Sequence, residues 1–352
     1  MGQNMRAAVY KGPRDLKVDE VPMPRYGEGD VLIKVNVCGI CGSDVHSYKS
    51  GFYVTPGQIM GHEFAGEIAG VGASVDGLRE GDRVTGFSLG ICGKCYWCTR
   101  GQYALCPELF HNSTGYGLPG GFAEFVLIPA AAVGSNIYRI PDGISDEVAA
   151  TVEPVSVAVG AIAAAAIQPG DSVVVLGGGM IGNACAQVAK NAGAAKVLLV
   201  EISPVRLDAA RASGADMVFD ARSGDPLEWV KEQVGVGAYH FNEGAMADVV
   251  IEAAGAAQTI VQSLEMVRSG GTIVFVGLPE HPVPIDTTKI VHKQPRIVGC
   301  LGGDFQESLD LLASGAVSTA SLITHTFDLD DAAEAFETQL RADETVKVMV
   351  RM

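Results

Sequence analysis

"VVVLGGGMIG", residues 173–182, is an apolar run that breaks into three consecutive glycines and then enters a helical pattern. Gly177, Gly179 and Gly182 stand at the spacing G-x-G-x-x-G. In such a turn the first glycine permits a tight bend and the second lets the backbone approach a pyrophosphate. The third lets helix and strand pack closely. The first helical residues, Met180 and Ile181, would then offer free N–H groups at the positive end of the helix dipole. Glycine-rich turns are common in a chain with 44 glycines, so the context carries the reading. The stretch "KVLLV" runs into Glu201, 19 residues beyond Gly182. An acid there accepts hydrogen bonds from an adenosine ribose and repels a 2′-phosphate, which predicts NAD rather than NADP. Arg206 lies either over the adenine or in solvent on the next helix.

Outward from this turn, strand patterns at 172–176, 196–200, 216–219, 248–252, 271–276 and 296–300 alternate with helical ones. That rhythm predicts an α/β fold with a doubly wound, six-stranded parallel sheet, a Rossmann domain over residues 156–296. Before it the texture differs. "RAAVYK", "VLIKVNV", "FAGEIAGVG", "DRVTGF" and "FAEFVLIP" are short β-forming runs cut by glycine and proline. They predict a β-rich, barrel-like domain over residues 1–155, to which residues 297–352 return.

At 352 residues, two domains are the natural expectation. Hydrophobic residues make up 48% and charged ones 19%, which supports a large core. The apolar stretch at 155–167 falls short of the roughly 20 residues a spanning helix needs. A formal charge of −16 disfavours nucleic acid and anionic membrane as partners. No charged-then-apolar leader opens the sequence, so a cytoplasmic location is expected. In that reducing compartment the eight cysteines argue against a disulfide framework.

Four of those cysteines are clustered. "CGKCYWCTRGQYALC" places Cys92, Cys95, Cys98 and Cys106 at C-x2-C-x2-C-x7-C. Four thiolates on one compact loop close a tetrahedron around Zn²⁺ and leave no position for substrate, so the expectation is a structural zinc. An iron–sulfur cluster is the other use of such a set. A second concentration of donors lies in "CGICGSDVHSYKSGFYVTPGQIMGHE", residues 38–63, which holds Cys41, Ser43, His46, His62 and Glu63. A thiolate, an imidazole and a carboxylate suit a three-ligand zinc site with one open position.

These motifs together resemble the zinc-dependent medium-chain alcohol dehydrogenases, in the polyol/sorbitol, butanediol and threonine dehydrogenase branch. "GHEFAGEIAGVGASV" fits that family's G-H-E-x2-G-x5-G-x2-V signature, and "CGICGSDVH", "EGDRV", the four-cysteine lobe, "GGFAEFVLIP" and "EPVSVA" follow in the family's order. The resemblance implies a GroES-like catalytic domain and two zinc ions per chain, one catalytic and one structural. Cys41 and His62 become catalytic zinc ligands, and Glu63 a direct or exchanging one. Glu153 becomes a carboxylate that touches the metal or holds its water. Liver-type relatives carry a second cysteine near the position of Glu153, and this chain departs from them there. The resemblance also gives Ser43 the alcohol proton and His46 its passage to solvent, although Ser43 suits a helix cap equally well. His111, Asn112 and Tyr116 either border the substrate cleft or are plain loop residues. The implied reaction is reversible, NAD-linked oxidation of a secondary alcohol, a polyol or vicinal diol, to a ketone. A threonine 3-dehydrogenase-type activity and a non-catalytic zinc- and NAD-binding protein are the alternatives. A small-molecule substrate and a homo-oligomer, dimer or tetramer, complete the expectation.

Overall fold

The structure is a computed structural model that describes residues 3–352. The chain forms two compact units. The first takes residues up to Glu153 together with Ile323–Arg341 and Lys347–Met352. The second takes Pro154–Leu322 and Ala342–Val346.

The first unit is built on a seven-stranded sheet. Its path runs Ile323–Asp328, Lys347–Arg351, Val31–Gly39, Glu63–Val71, Arg83–Gly86, Ile137–Arg139, with Phe125–Ile128 also paired to Val31–Gly39. The first two of these strands are parallel to each other and the remaining pairs antiparallel. A hairpin of Asn4–Gly12 and Asp15–Pro22 joins it through bridges from Ala7 to Ala123 and from Val9 to Ile59. Tyr10, Phe64, Phe122 and Phe336 are fully buried together in the core. Within "FAGEIAGVG" the backbones pass so closely that a Cβ on Gly66 would lie 2.1 Å from the Lys34 carbonyl oxygen. The register matters for chemistry. Gly39 pairs with Glu63 on one side and with Met349 on the other. One strand therefore ends just before Cys41 where its neighbour begins just after His62, and the strand that opens with Lys347 lies alongside.

The second unit is a six-stranded parallel sheet. Its order is Met217–Asp220, Lys196–Glu201, Ser172–Leu176, Ala247–Glu252, Val267–Phe275, Arg296–Gly299. In chain order that is 3-2-1-4-5-6, which reverses direction beside the first strand, where doubly wound sheets bind dinucleotides. Val173, Val174, Val175, Leu198, Leu199, Val250 and Ile251 have no exposed surface, as strands covered on both faces require. All six expected strands are present, and the fifth begins earlier than the pattern indicated. A two-stranded hairpin, Val236–Tyr239 with Asn242–Ala245, was not expected. Its glycine-rich sequence carries no clean alternation.

The structure moves the return point of the chain. Residues 297–322 belong to the sheet unit, not to the first unit as expected. The helix Phe305–Ala313 buries Leu309 and Leu312, and the Gln187 amide bonds both the N–H and the carbonyl of Ser318, at 2.7 and 3.1 Å. Residues 342–346 also stay with the sheet, where Ser203 Oγ donates to the Ala342 carbonyl at 2.7 Å. Among the described residues, no helix is long and apolar enough to cross a membrane.

Candidate metal and dinucleotide sites

Cys41 precedes the short helix Gly42–Ser50 with extended backbone, and its N–H donates to Asp44 Oδ2 at 3.0 Å. His62 and Glu63 are buried at the start of the neighbouring strand. The ligand atoms of Cys41, His62 and Glu63 all lie within 4.8 Å of one another. Glu153, in the first turn of Val152–Ala165, is outside that tight set although its charge is felt by His62. His62 Nδ1 faces Asp44 Oδ1 at 3.7 Å, too far for a hydrogen bond, and has no other partner.

The electrostatics are lopsided. Burial pushes the Asp44 carboxyl above its ordinary value, with His62 working against it. Burial, opposed by His62 and reinforced by Glu63, takes Glu153 up to about 7. Burial would lower His62, yet Asp44 and Cys41 hold it well above the usual imidazole value. Thiol, imidazole and carboxylates thus converge where, among the described residues, anionic groups outnumber the fixed cations. That donor set suits a divalent zinc ion, whose charge relieves the crowding.

A fixed cation here is Lys347, which the sequence reading missed. Its ammonium donates to Glu63 Oε1 and Oε2 at 2.8 and 2.6 Å and to the Ile40 carbonyl at 3.0 Å. Both side chains are almost wholly buried, at 4% and 0% exposure. Glu63 therefore faces the donor cluster with both oxygens already engaged.

Ser43 Oγ lies 2.9 Å from the Tyr116 hydroxyl, and the Tyr116 ring stacks on His62 with centroids 5.0 Å apart. Burial keeps Tyr116 protonated far beyond neutral pH. Tyr53 and Phe110 pack against Tyr116, so this side of the cluster is aromatic. His46 sits three residues past Ser43 on the same helix, partly exposed. His111 and Asn112 remain exposed in a separate turn.

Cys92, Cys95, Cys98 and Cys106 also bring their sulfurs within 4.8 Å of one another. All are free thiols, and backbone N–H groups already address two sulfurs: Cys92 N–H to Cys106 at 3.3 Å and Cys98 N–H to Cys95 at 3.4 Å. Leu109 and Phe110 pack with the four cysteines in a small cluster, and four converging thiols suit a structural zinc.

In the sheet unit the glycine turn has the shape its sequence implies. Gly177 has φ 103°, and a Cβ on Gly182 would lie 1.9 Å from the Gly177 carbonyl oxygen. The helix Met180–Asn191 follows with Gly179 as its N-cap. Glu201 is buried at the end of the second strand. Its Oε2 accepts from Gly178 N–H at 2.6 Å, and Oε1 from Ile202 and Ser203 N–H at 2.6 and 2.9 Å. Arg206 is not out in solvent: its Nε donates to the Thr345 carbonyl at 2.9 Å, and its guanidinium reaches toward Gly179.

A doubly wound sheet with this turn, and a β-rich unit with two zinc-type donor clusters, define a metal-dependent dehydrogenase. Residues 27–142 match the alcohol dehydrogenase GroES-like domain, and residues 181–314 match the zinc-binding dehydrogenase domain. The chain is 35% identical over 356 residues to a sorbitol dehydrogenase of Bacillus subtilis, covering 99% of this chain and 97% of that one. It is 36% identical over 358 residues to an L-threonine 3-dehydrogenase of Rhizobium etli, covering 99% of each. Among solved structures, a zinc-binding dehydrogenase from Sinorhizobium meliloti bound to NADP superposes with a TM-score of 0.86 at 31% identity, covering 99% of this chain and 100% of that one. The chain belongs to the zinc-dependent medium-chain alcohol dehydrogenase family.

Proposed function

We propose that this member oxidises a secondary alcohol of the polyol or vicinal diol type to a ketone, reversibly and with NAD. The convergence of Cys41, His62 and a carboxylate within one buried cluster, next to a Ser43–Tyr116 hydrogen bond, carries the reading. Cys41 and His62 would hold the catalytic zinc. Glu63, whose oxygens also accept from Lys347, lies in the cluster with them, and Glu153 is the second carboxylate that would touch the metal or hold its water. Zinc bound here supplies a Lewis-acid charge that brings an alcohol's pKa toward neutrality.

The protein's own groups do the remainder. Ser43 receives the alcohol proton, and Tyr116, held above its ordinary pKa by burial, steadies the Ser43 hydroxyl from 2.9 Å. His46, one helical turn on from Ser43 and partly exposed, passes the proton on. Asp44 faces His62 from 3.7 Å and favours positive charge on the ring. The thiolates of Cys92, Cys95, Cys98 and Cys106 would hold a second, structural zinc. In the sheet unit Gly177, Gly179, Met180, Ile181 and Gly182 present the pyrophosphate donors, and Arg206 adds a cation beside them. Glu201 has an unused lone pair on Oε2 for a ribose hydroxyl, and its charge disfavours a 2′-phosphate. The sorbitol dehydrogenase relative favours a polyol, and the threonine dehydrogenase relative makes threonine the necessary control. The reading includes a cytoplasmic homo-oligomer.

The test is turnover on a panel of sorbitol, 2,3-butanediol, threonine and 2-propanol with NAD or NADP, for wild type and Cys41→Ser. Oxidation of a diol or polyol with NAD, lost in Cys41→Ser while the structural zinc stays, is the expected result. Unchanged turnover in Cys41→Ser would end the mechanism, and activity confined to threonine would end the substrate assignment.

A further inference from the structure

The glycine turn holds a side chain that neither its motif nor the proposed reaction accounts for. Asn183 lies in the first turn of the helix Met180–Asn191 and has no exposed surface. Its Nδ2 donates to the Gly178 carbonyl at 2.5 Å and to the Gly179 carbonyl at 3.3 Å. Its Oδ1 is buried and has no partner. A half-satisfied buried amide costs free energy that an apolar side chain of similar breadth avoids. The donor end must therefore do something useful.

What it does follows from peptide geometry. In a trans peptide the C=O and the next N–H point in opposite directions across one plane. Pinning the Gly178 carbonyl toward Asn183 turns the Gly179 N–H away from it. The Gly179 carbonyl also accepts from the Asn183 backbone N–H at 3.0 Å, which orients the Met180 N–H in the same sense. Gly178 N–H is already spent on Glu201 Oε2. The N-cap, Gly179, has no side chain to satisfy the first-turn donors. Asn183 and Glu201 thus sort the backbone groups of the turn: carbonyls and one N–H are consumed within the protein, and the N–H groups of Gly179, Met180 and Ile181 face outward together.

We propose that Asn183 is a positioning residue for the dinucleotide pyrophosphate, fixing the peptide planes whose N–H groups bind it. This rests on reading the turn as an NAD site. Without the Asn183 side chain the Gly178–Gly179 peptide loses the bond that holds its carbonyl, while the Gly179 carbonyl keeps the backbone N–H of residue 183 at 3.0 Å, so it is the Gly179 N–H that must be ordered at the moment of binding.

The experiment uses full-length, zinc-loaded protein: wild type, Asn183→Leu and Asn183→Ser. NADH is titrated by its fluorescence, with ADP-ribose and adenosine as competitors, and zinc content and melting are followed alongside. Asn183→Leu removes both donated bonds and should weaken NADH and ADP-ribose about tenfold or more, as the loss of two ordinary hydrogen bonds implies. A serine at this position can donate only to the i−4 carbonyl, here Gly179, which the backbone N–H of residue 183 already holds, so Asn183→Ser should weaken binding nearly as much as Leu. Adenosine, which lacks phosphate, should change by less than about twofold, within the effect of a bond it never uses. Equal weakening of adenosine and ADP-ribose would assign Asn183 a purely structural role and overturn the proposal. So would unchanged NADH affinity in either variant. Failure of wild type to bind NADH, in contrast, would remove the cofactor reading itself and this inference with it.

Discussion

Replacing Lys347 by methionine probes the most demanding electrostatic arrangement in the β-rich unit. Methionine keeps most of the aliphatic stem, so packing is nearly conserved and the change is one of charge. In the folded protein the ammonium makes three hydrogen bonds, two of them to a Glu63 carboxylate with no exposed surface. Removing one member of a buried ion pair strands the other, which typically costs about 3–5 kcal/mol. That is a large share of the roughly 5–15 kcal/mol that holds most domains folded. Glu63→Gln should cost less, because an amide oxygen still accepts from Lys347. The double variant, Lys347→Met with Glu63→Gln, should recover part of the loss, giving a coupling of about 2 kcal/mol or more. The assay is urea unfolding followed by circular dichroism, on chelator-treated and zinc-loaded samples. The penalty should be larger without zinc, since a bound cation takes over part of the neutralisation of Glu63. A Lys347→Met loss below about 1 kcal/mol, well under the range for a broken buried pair, would refute the reasoning. Strict additivity in the double variant would do the same.

Other perturbations reach separate parts of the molecule. Cys98→Ser should lower bound zinc by one ion per chain and open residues 92–106 to proteolysis; a protected loop after zinc loss would show that the loop orders itself. Glu201→Gln keeps an acceptor for Gly178 N–H but removes the charge, so it should narrow an NAD over NADP preference by about tenfold, the value of a screened charge near 1.4 kcal/mol; an unchanged ratio would take the ribose role away from Glu201. Asp248 titrates below the usual carboxylate range: burial raises it, but hydrogen bonds from Ser172 N–H and Oγ at 2.9 and 2.8 Å and from Arg268 at 2.6 Å outweigh that. A depressed folded-state pKa contributes stability that is complete above the unfolded value near 3.9 and is lost as pH falls through the lower folded one. Asp248→Asn should therefore flatten the acid limb of the stability curve below about pH 4, and an unaltered limb in a melting-versus-pH series would contradict this.

The parts legible in the sequence share one property: their information is local. The glycine turn at residues 177–182 declares itself because each glycine is demanded by contacts within a few residues of it or with the next strand. The four cysteines were legible as a candidate metal cluster because all four sit on one loop, where their sulfurs converge. Strand-helix alternation gave the six parallel strands, and the signature around His62 and Glu63 marked a donor cluster. Asn183 was visible but silent, since nothing in the pattern says that an amide four residues after Gly179 turns back onto the loop. The hairpin at residues 236–245 was missed for want of alternation.

Tertiary structure decided which distant segments meet. Strand 296–299 pairs with Val267–Phe275 and holds the following segment to the parallel sheet, whereas strand 323–328 pairs with Lys347–Arg351 in the first unit. That choice moved the return of the chain from residue 297 to residue 323. Lys347 stands 284 residues from Glu63, and no spacing rule connects them. They meet because one strand lies beside Val31–Gly39 in a single register, and only burial in that register makes the ammonium necessary. A sequence specifies turns, periodicity and ligand spacing through forces that act over a few residues. Charge partnership in a core depends on which groups lose water together, and that is settled only when the sheet closes.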